Sequence, residues 1–182
     1  MKTEPKEVIL KDGRLAELRS PEKEDAAALL DFLVTAAGET EFILRYPEEC
    51  TMTVEQEAAW IENMGRQSGT VVIACFLDGL CAGNCQVALI GSGIKNRHRA
   101  TIAIGIRKAY WGQGIGTAMM REMLAWAEKM GVLQVELEYI EGNARGRALY
   151  QKMGFVEYGR RPDAIRLKNG EFRQEILMMK KL

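Results

Sequence analysis

The sequence predicts a mixed α/β (α+β) fold in which a central, mostly antiparallel sheet is flanked by helices. Two β-rich segments, residues 70–76 and 81–90, are separated by Leu77-Asp78-Gly79, a pattern typical of an antiparallel hairpin. Further along the chain, two segments follow the order strand, turn, helix. A chain of 182 residues fits one domain. We therefore expect residues 1–182 to form a single domain, with residues 1–10 at its periphery.

The first part of the chain is predicted to form a strand followed by two helices. Residues 15–19 alternate apolar and polar side chains, as half-buried strands do. Ser20-Pro21-Glu22 then predicts a helix start, with the serine as N-cap and a proline in the first turn. We expect this helix to be broken at Gly38 and a second helix to begin after Thr53.

The two strand-to-helix units lie in the second half of the chain. Residues 99–106 predict a strand, and after a glycine-rich turn the apolar residues recur at helical spacing until Gly131. Residues 134–139 predict another strand, and a short helix is expected from Asn143 to about Met153.

The tail predicts a closing hairpin. Its strands are residues 155–158 and 173–179, around the turn-forming pair Asn169-Gly170. Exposed edge strands and this hairpin are compatible with a homodimer.

The charges and apolar segments exclude several kinds of partner. Lys and Arg together number 25, as do Asp and Glu, so the formal net charge is zero and a protein that coats nucleic acid is not indicated. No uninterrupted apolar run approaches the roughly 20 residues that a membrane helix requires. We expect neither a nucleic-acid partner nor a membrane.

The four cysteines indicate a reducing compartment. Their spacing is not that of a secreted disulfide framework, and the charged N-terminus contains no apolar segment that could act as a signal peptide. We therefore expect a cytoplasmic protein. Because His98 is the single histidine, Cys81 and Cys85 are interpreted as buried thiols, and no metal is expected.

The segment Trp111-Gly112-Gln113-Gly114-Ile115-Gly116-Thr117 connects a predicted strand to a predicted helix. Alternate glycines allow several backbone N–H groups to point at one anion. The helix that begins there adds its free N–H groups and the positive end of its dipole. The segment therefore favours an anion-binding turn.

Three interpretations of this turn compete: an acyl-CoA pyrophosphate site, a dinucleotide site and a plain connector. The dinucleotide fingerprint requires glycine or alanine where this chain has Thr117, although Glu136 or Glu138 could serve as its acidic ribose ligand. A nucleotide P-loop is excluded, since no lysine follows Gly116.

A second motif, Asn143-Ala144-Arg145-Gly146-Arg147-Ala148-Leu149-Tyr150-Gln151-Lys152-Met153-Gly154-Phe155, follows at a distance. With both motifs present in this order, the chain resembles the GNAT superfamily of N-acetyltransferases. The order of elements resembles that family from Ala16 to Leu182, and the specific residues lie between Arg99 and Phe155. Trp111 departs from the pattern, which usually has Arg or Gln at this position.

The resemblance implies a splayed sheet and acetyl-CoA as the acyl donor. It implies that backbone groups of the turn bind the pyrophosphate: Gly112, Gln113, Gly114, Ile115, Gly116 and Thr117. The side chain of Ile115 is expected to belong to the core. The strand around Ile104 and Ile106 is expected to pair with the pantetheine arm. A backbone N–H near Gly105 or Ile106 is a candidate to polarise the thioester carbonyl.

Two side chains of the second motif carry specific expectations. The resemblance implies that Tyr150 is the general acid that protonates the departing CoA thiolate, whereas the alternative is a core aromatic. Asn143 lies about two helical turns earlier and is expected to face the cofactor. It is also a good helix cap, and the two roles are compatible.

The general base is not identified by the sequence. An exposed ammonium of pKa about 10.4 has no free lone pair at neutral pH, so a group must accept its proton before direct attack. Glu138, Glu39 and Glu41 are candidates, as is an ordered water, but each glutamate is more typical of a solvated or ion-paired surface group.

We therefore expect an enzyme that transfers an acetyl group from acetyl-CoA to a primary amine by direct nucleophilic attack. The acceptor is expected to be a small-molecule amine or a protein N-terminus. Two alternatives are a catalytically inactive, CoA-binding regulatory module and a dinucleotide-dependent oxidoreductase.

Overall fold

The computed structural model describes all residues from Met1 to Leu182. The chain contains eight strands and four α-helices. The strands are β1 (Lys6–Ile9), β2 (Leu15–Arg19), β3 (Thr70–Leu77), β4 (Leu80–Leu89), β5 (Arg99–Ile106), β6 (Gln134–Ile140), β7 (Val156–Arg166) and β8 (Phe172–Lys181). The helices are α1 (Ala26–Glu39), α2 (Val54–Arg66), α3 (Ile115–Lys129) and α4 (Ala144–Lys152).

All eight strands form one sheet in the order β1-β2-β3-β4-β5-β6-β8-β7. Every neighbouring pair is antiparallel except β5 and β6, which are parallel. The predicted mixed, mostly antiparallel sheet flanked by helices is confirmed. None of the helices is both long and apolar enough to span a bilayer.

The sheet consists of two halves that meet only briefly. β5 pairs with β6 over three residues, from Arg99 opposite Gln134 to Thr101 opposite Glu136. Beyond this point β5 stays paired with β4 as far as Ile106, and β6 stays paired with β8 as far as Ile140. The two strands therefore diverge, and the splayed sheet implied by the resemblance is present.

One main core holds both halves together. Helix α3 contributes Met119, Met120 and Met123, none of which has exposed surface, and its first residue Ile115 is 1% exposed, as expected of a core side chain. The cluster also includes buried residues of strands on both sides of the opening, such as Ile102 and Leu137. A smaller apolar cluster packs α1 and α2 against the opposite face of the sheet.

Most predicted elements are confirmed, but the start of the first helix is not where the sequence placed it. Ser20 does not cap a helix. Its hydroxyl donates to the carbonyl of Val72 on β3 at 2.9 Å, and α1 begins only at Ala26 after a short 3₁₀ turn. Helix α1 also continues through Gly38 and ends at Glu39.

Residues before Leu15 contain a strand that the sequence did not predict. Strand β1 forms the edge of the sheet beside β2, and Leu10 after it is only 3% exposed in the main core. The N–H of Lys11 donates to the carbonyl of Gln113 at 3.1 Å. This segment therefore supports the glycine turn from outside.

All four cysteines are free thiols. Cys81 and Cys85 are buried, as interpreted from the sequence, and Cys75 is buried beside them. Burial raises the pKa of the Cys75 thiol to about 11 and that of Cys81 to about 12, so these thiols are protonated at neutral pH.

Candidate active site

The glycine turn presents a set of free backbone donors at the start of α3. Gly112 and Gly114 have φ values of 79° and 100°, which other residues adopt only with strain. No atom lies within 4 Å of where their Cβ atoms would be, so the space in front of the turn is open. No side chain caps the helix at Gly114. The first N–H groups of α3 are therefore available to an anion.

The inner edge of β5 is the second part of the site. The carbonyl of Arg99 accepts from Ile90 and the N–H of Arg107 donates to Ala82, so odd-numbered residues of β5 bond to β4. The backbone groups of Ile104 and Ile106 consequently face the opening, where β6 no longer pairs with them. The N–H of Ile106, rather than that of Gly105, points toward this gap.

Helix α4 bridges the two sides of the opening. On one side, Leu149 packs against the glycine turn so closely that a Cβ on Gly116 would lie 3.0 Å from its Cδ2. On the other side, the ring of Tyr150 lies 5.8 Å from that of Tyr139 on β6. Lys152 adds a contact of 3.4 Å between its Nζ and the hydroxyl of Thr117.

Tyr150 is a residue of α4, and its side chain is buried. Its residue is 7% exposed, and its ring also packs edge-on against Phe155 at 6.5 Å between centroids. Burial, with a smaller contribution from Tyr139, raises the pKa of Tyr150 to about 12, and no hydrogen bond offsets that effect. The phenol is therefore neutral, and able to donate a proton, throughout the physiological range.

Asn143 acts as the N-cap of α4. Its Oδ1 accepts a hydrogen bond from the N–H of Gly146 at 2.9 Å, so the capping role is confirmed. The same residue lines a cavity of about 500 Å³ on the far side of α4, together with Arg147 and Ile176. Tyr150 is not among the residues that line this cavity.

The opposite face of the opening is covered by residues that sequence reasoning missed. A Cβ on Gly105 would lie 3.2 Å from Phe32 and 3.9 Å from Ile43, and one on Gly142 would lie 3.6 Å from Phe42. The sequence suggests Glu39 and Glu41 of this region as candidate bases, but it does not single out Phe32, Phe42 or Ile43.

The α1–α2 loop is tied to the turn between β7 and β8. The backbone N–H of Lys168 donates to the hydroxyl of Tyr46 at 3.0 Å, and the Lys168 ammonium lies 4.1 Å from the centre of the same ring. Lys168 also forms an ion pair with Glu48. Together these contacts form a wall on the face that carries Phe32, Phe42 and Ile43.

The glutamates considered as bases have different surroundings. Glu39 accepts from the backbone N–H of Lys108 at 2.6 Å, and Glu41 is exposed. Glu138 lies 3.8 Å from Arg161, which also pairs with the buried Glu175. Burial raises the pKa of Glu175, and the nearby charge of Glu138 adds to it. Glu39 and Glu138 are thus engaged with neighbouring groups.

Glu136 is held by Arg99 rather than presented to a ligand. The Arg99 guanidinium donates to both carboxylate oxygens, at 2.5 and 2.6 Å, and this contact lowers the pKa of Glu136. It therefore does not lie free to bind a ribose. No three side chains among His, Cys, Asp and Glu converge as a metal site would require.

Comparison with known proteins identifies the family. Residues 16–156 match the family model described as an acetyltransferase (GNAT) domain. The chain belongs to the GNAT family of acetyltransferases. The dinucleotide alternative loses its support, because the sheet, the turn and the family all agree with the other interpretation.

Solved structures with the same fold cover nearly the whole chain. An acetyltransferase of the GNAT family from Streptococcus pneumoniae is 27% identical, covers 92% of this chain and 99% of its own, and has a TM-score of 0.84. A ribosomal-protein-alanine N-acetyltransferase from Brucella melitensis is 25% identical over 91% of this chain and 99% of its own, with a TM-score of 0.77.

A third structure shares the fold at lower identity. It is a putative acetyltransferase from Salmonella typhimurium, determined with its cofactor acetyl-CoA, and it is 21% identical. It covers 91% of this chain and 92% of its own, with a TM-score of 0.77.

The cap at Asn143 predicts a specific pattern of stability. Replacing Asn143 by Ala leaves the N–H of Gly146 without its partner, so the free energy of unfolding should fall by about 1 kcal/mol. Asn143→Asp keeps an oxygen at the same place and should retain most of the stability. Urea denaturation of the two variants measures this, and an equal loss in both would contradict the cap.

Proposed function

We propose that this protein transfers an acetyl group from acetyl-CoA to a primary amine by direct nucleophilic attack. The observation that carries the proposal is the opening between β5 and β6, which lies beside the uncapped start of α3 and whose β6 side carries the Tyr139 ring in contact with Tyr150. Family membership supports the transferase class. The amine and the roles of individual residues belong to the proposal.

The chain's own groups fit acetyl-CoA in two places. The N–H groups from Gly112 to Thr117 would hold its pyrophosphate at the positive end of α3. The backbone groups of Ile104 would pair with the amides of its pantetheine arm, as a neighbouring strand would, while the Ile106 carbonyl already accepts from the Trp111 indole. Acetyl-CoA bound in this way supplies an activated acetyl thioester.

The opening also orients the thioester carbonyl. The N–H of Ile106 faces the gap and is a donor for the carbonyl oxygen, on which negative charge develops during attack. Ile43 and Phe32 lie against Gly105 on the acceptor side, where they limit the access of water. The amine would enter from this face.

Tyr150 is proposed as the general acid. Its phenol remains protonated because its pKa is about 12, so it can donate a proton to the sulfur as the carbon–sulfur bond breaks. The amine loses its own proton separately. Glu138 is exposed on β6 near the acceptor face and could accept this proton directly or through water.

The acceptor is proposed to be a small-molecule amine or a protein N-terminus. The Brucella melitensis neighbour is described as acting on a ribosomal-protein alanine, which supports the second class by analogy alone. The wall formed by Phe42, Tyr46 and Lys168 would make the discriminating contacts. The four cysteines, which lie between Cys50 and Cys85, are free thiols, and this supports a reducing compartment such as the cytoplasm.

An assay of released CoA thiol tests the proposal. Purified protein is incubated with acetyl-CoA and a panel that contains amino acids, polyamines, aminoglycosides and peptides with free N-termini. We expect one class to release CoA in proportion to the acetylated amine found by mass spectrometry. Binding of acetyl-CoA without turnover on any amine would favour the inactive regulatory module instead.

The glycine turn is tested by a pair of matched substitutions. Gly114→Ala and Gly131→Ala both place a side chain at a positive φ with open space around it, at opposite ends of α3. Both should destabilise the fold by roughly 1–2 kcal/mol. Only Gly114→Ala should weaken acetyl-CoA binding, by about tenfold or more, because it displaces the N–H groups.

Isothermal titration calorimetry with acetyl-CoA measures this difference, and chemical denaturation verifies that the two variants are equally folded. Equal affinities in both variants would remove the glycine turn from the donor site.

The acid role of Tyr150 predicts both a rate and a pH profile. Tyr150→Phe should lower kcat by about 100-fold, the lower range for general acid catalysis, while the Kd for acetyl-CoA changes little. Because activity is lost only as pH rises through a pKa of about 12, wild-type kcat should show no alkaline decline due to this group up to about pH 10.

Tyr139→Phe serves as the control, since it removes a hydroxyl from the neighbouring ring and leaves the proposed acid in place. An alkaline decline of kcat below pH 10 that disappears in Tyr150→Phe would contradict the raised pKa. An unchanged kcat in that variant would exclude the acid role.

A further inference from the structure

Trp111 stands at the position where the family pattern has Arg or Gln, and the structure gives this indole two contacts. Its Nε1–H donates to the carbonyl of Ile106 at 2.8 Å, which closes the loop between β5 and the glycine turn. The guanidinium of Arg145, from the first turn of α4, lies 5.2 Å from the centre of the Trp111 ring. Trp111, which departs from the family pattern in the first motif, is thus in contact with Arg145 of the second motif.

Through Trp111, these contacts connect the end of β5 to the first turn of α4. The hydrogen bond fixes the Trp111 ring against the last residue of β5, on the side where β6 no longer pairs. The ring then offers its face to α4. Arg145 is thereby held at the beginning of the segment whose N–H groups face the open space.

The charge of Arg145 is not used elsewhere in the protein. It pairs with no carboxylate among the ion pairs of the molecule. Lys152, two turns further along α4, touches the hydroxyl of Thr117 at the other end of the glycine turn and has no carboxylate partner either. The turn therefore lies between two unpaired cations of one helix.

We propose that Arg145, oriented by its cation–π contact with Trp111, is a cofactor-binding residue that contacts the pyrophosphate of acetyl-CoA. The positive charge that the family pattern supplies when it has arginine at the first motif position is supplied here from α4. Trp111 is a positioning residue in this arrangement, because it acts through Arg145. The inference rests on the proposed acetyl-CoA function and adds two residues to its donor site.

Guanidinium suits this role because its planar donors match two phosphate oxygens at once. The cation–π contact with the indole restricts the rotamers of the arginine side chain without neutralising its charge. Less conformational entropy is therefore lost when the pyrophosphate binds. An unpaired arginine also needs to break no ion pair in order to bind. Arg145 differs in this respect from Arg161, whose guanidinium already bonds Glu175.

The test uses full-length variants and calorimetric affinities, which do not depend on turnover. Arg145→Gln should raise the Kd for acetyl-CoA by about tenfold, as loss of one charge-assisted hydrogen bond at an exposed site would. Arg145→Lys should recover part of that loss. Arg147→Gln is the matched control, because Arg147 lies on the same turn of α4 but lines the separate cavity.

Two shortened donors locate the contact. With 3′-dephospho-acetyl-CoA, which keeps the pyrophosphate, Arg145→Gln should weaken binding by the same factor. With S-acetylpantetheine, which lacks all phosphates, wild type and Arg145→Gln should bind with equal affinity. A loss that vanishes with the dephospho donor would assign Arg145 to the 3′-phosphate and overturn the proposal.

The role of Trp111 is tested by a double-mutant cycle. Trp111→Leu alone should weaken acetyl-CoA binding, and adding it to Arg145→Gln should cause little further loss, because the two side chains act as one unit. Independent, additive losses would overturn the positioning role. Unchanged affinity in Arg145→Gln, in an enzyme that binds and turns over acetyl-CoA normally, would overturn only this inference, whereas wild type that binds no acetyl-CoA would overturn the proposed function as well.

Discussion

Strands β5 and β6 pair over only three residues, and beyond them the sheet is open between the two strands. β5 follows β4 without a break in register from Ala100 to Ile106, and β6 follows β8 over seven residue pairs. The backbone groups of Ile104 and the N–H of Ile106 therefore have no strand partner at this edge of β5, whereas the Ile106 carbonyl accepts from Trp111. Such unpaired groups need a partner. A ligand with amide groups, or water, is the partner that the geometry allows.

The last two helices, α3 and α4, both lie beside this opening. Helix α3 starts where β5 ends, so its uncapped N-terminus lies at the same edge as the unpaired strand. Helix α4 covers the gap, with Leu149 against the glycine turn and Tyr150 against β6. A phenol placed under such a cover loses contact with water, and this loss is the first cause of its raised pKa. The proposed sites of donor binding and proton donation thus both lie at one irregularity of the sheet.

The sequence predicted best those features that depend on near neighbours in the chain. Residues 99–106 alternate as a strand and are β5, and the asparagine expected at the start of the last helix caps it. Features that depend on distant contacts were missed or misplaced. Ser20 has the residue type of a helix cap, but a carbonyl of β3 offers it a buried partner instead. Strand β1 is short and mostly exposed, so it carries no clear periodicity.

The proposed donor side of the site is formed by backbone groups of one local segment, whereas the proposed acceptor side is formed by side chains from distant segments. The sequence could therefore predict the donor side but not the acceptor side. The donor side consists of backbone groups in a turn whose glycines are visible in any sequence. The proposed acceptor side brings Tyr46 of a loop against Lys168 of a remote hairpin and Phe42 of the same loop against Gly142, and only the fold reveals these contacts. Backbone groups are offered by any sequence that adopts the turn, whereas the contacts on the acceptor side depend on the side chains of a loop. The identity of the amine must therefore be determined from this wall.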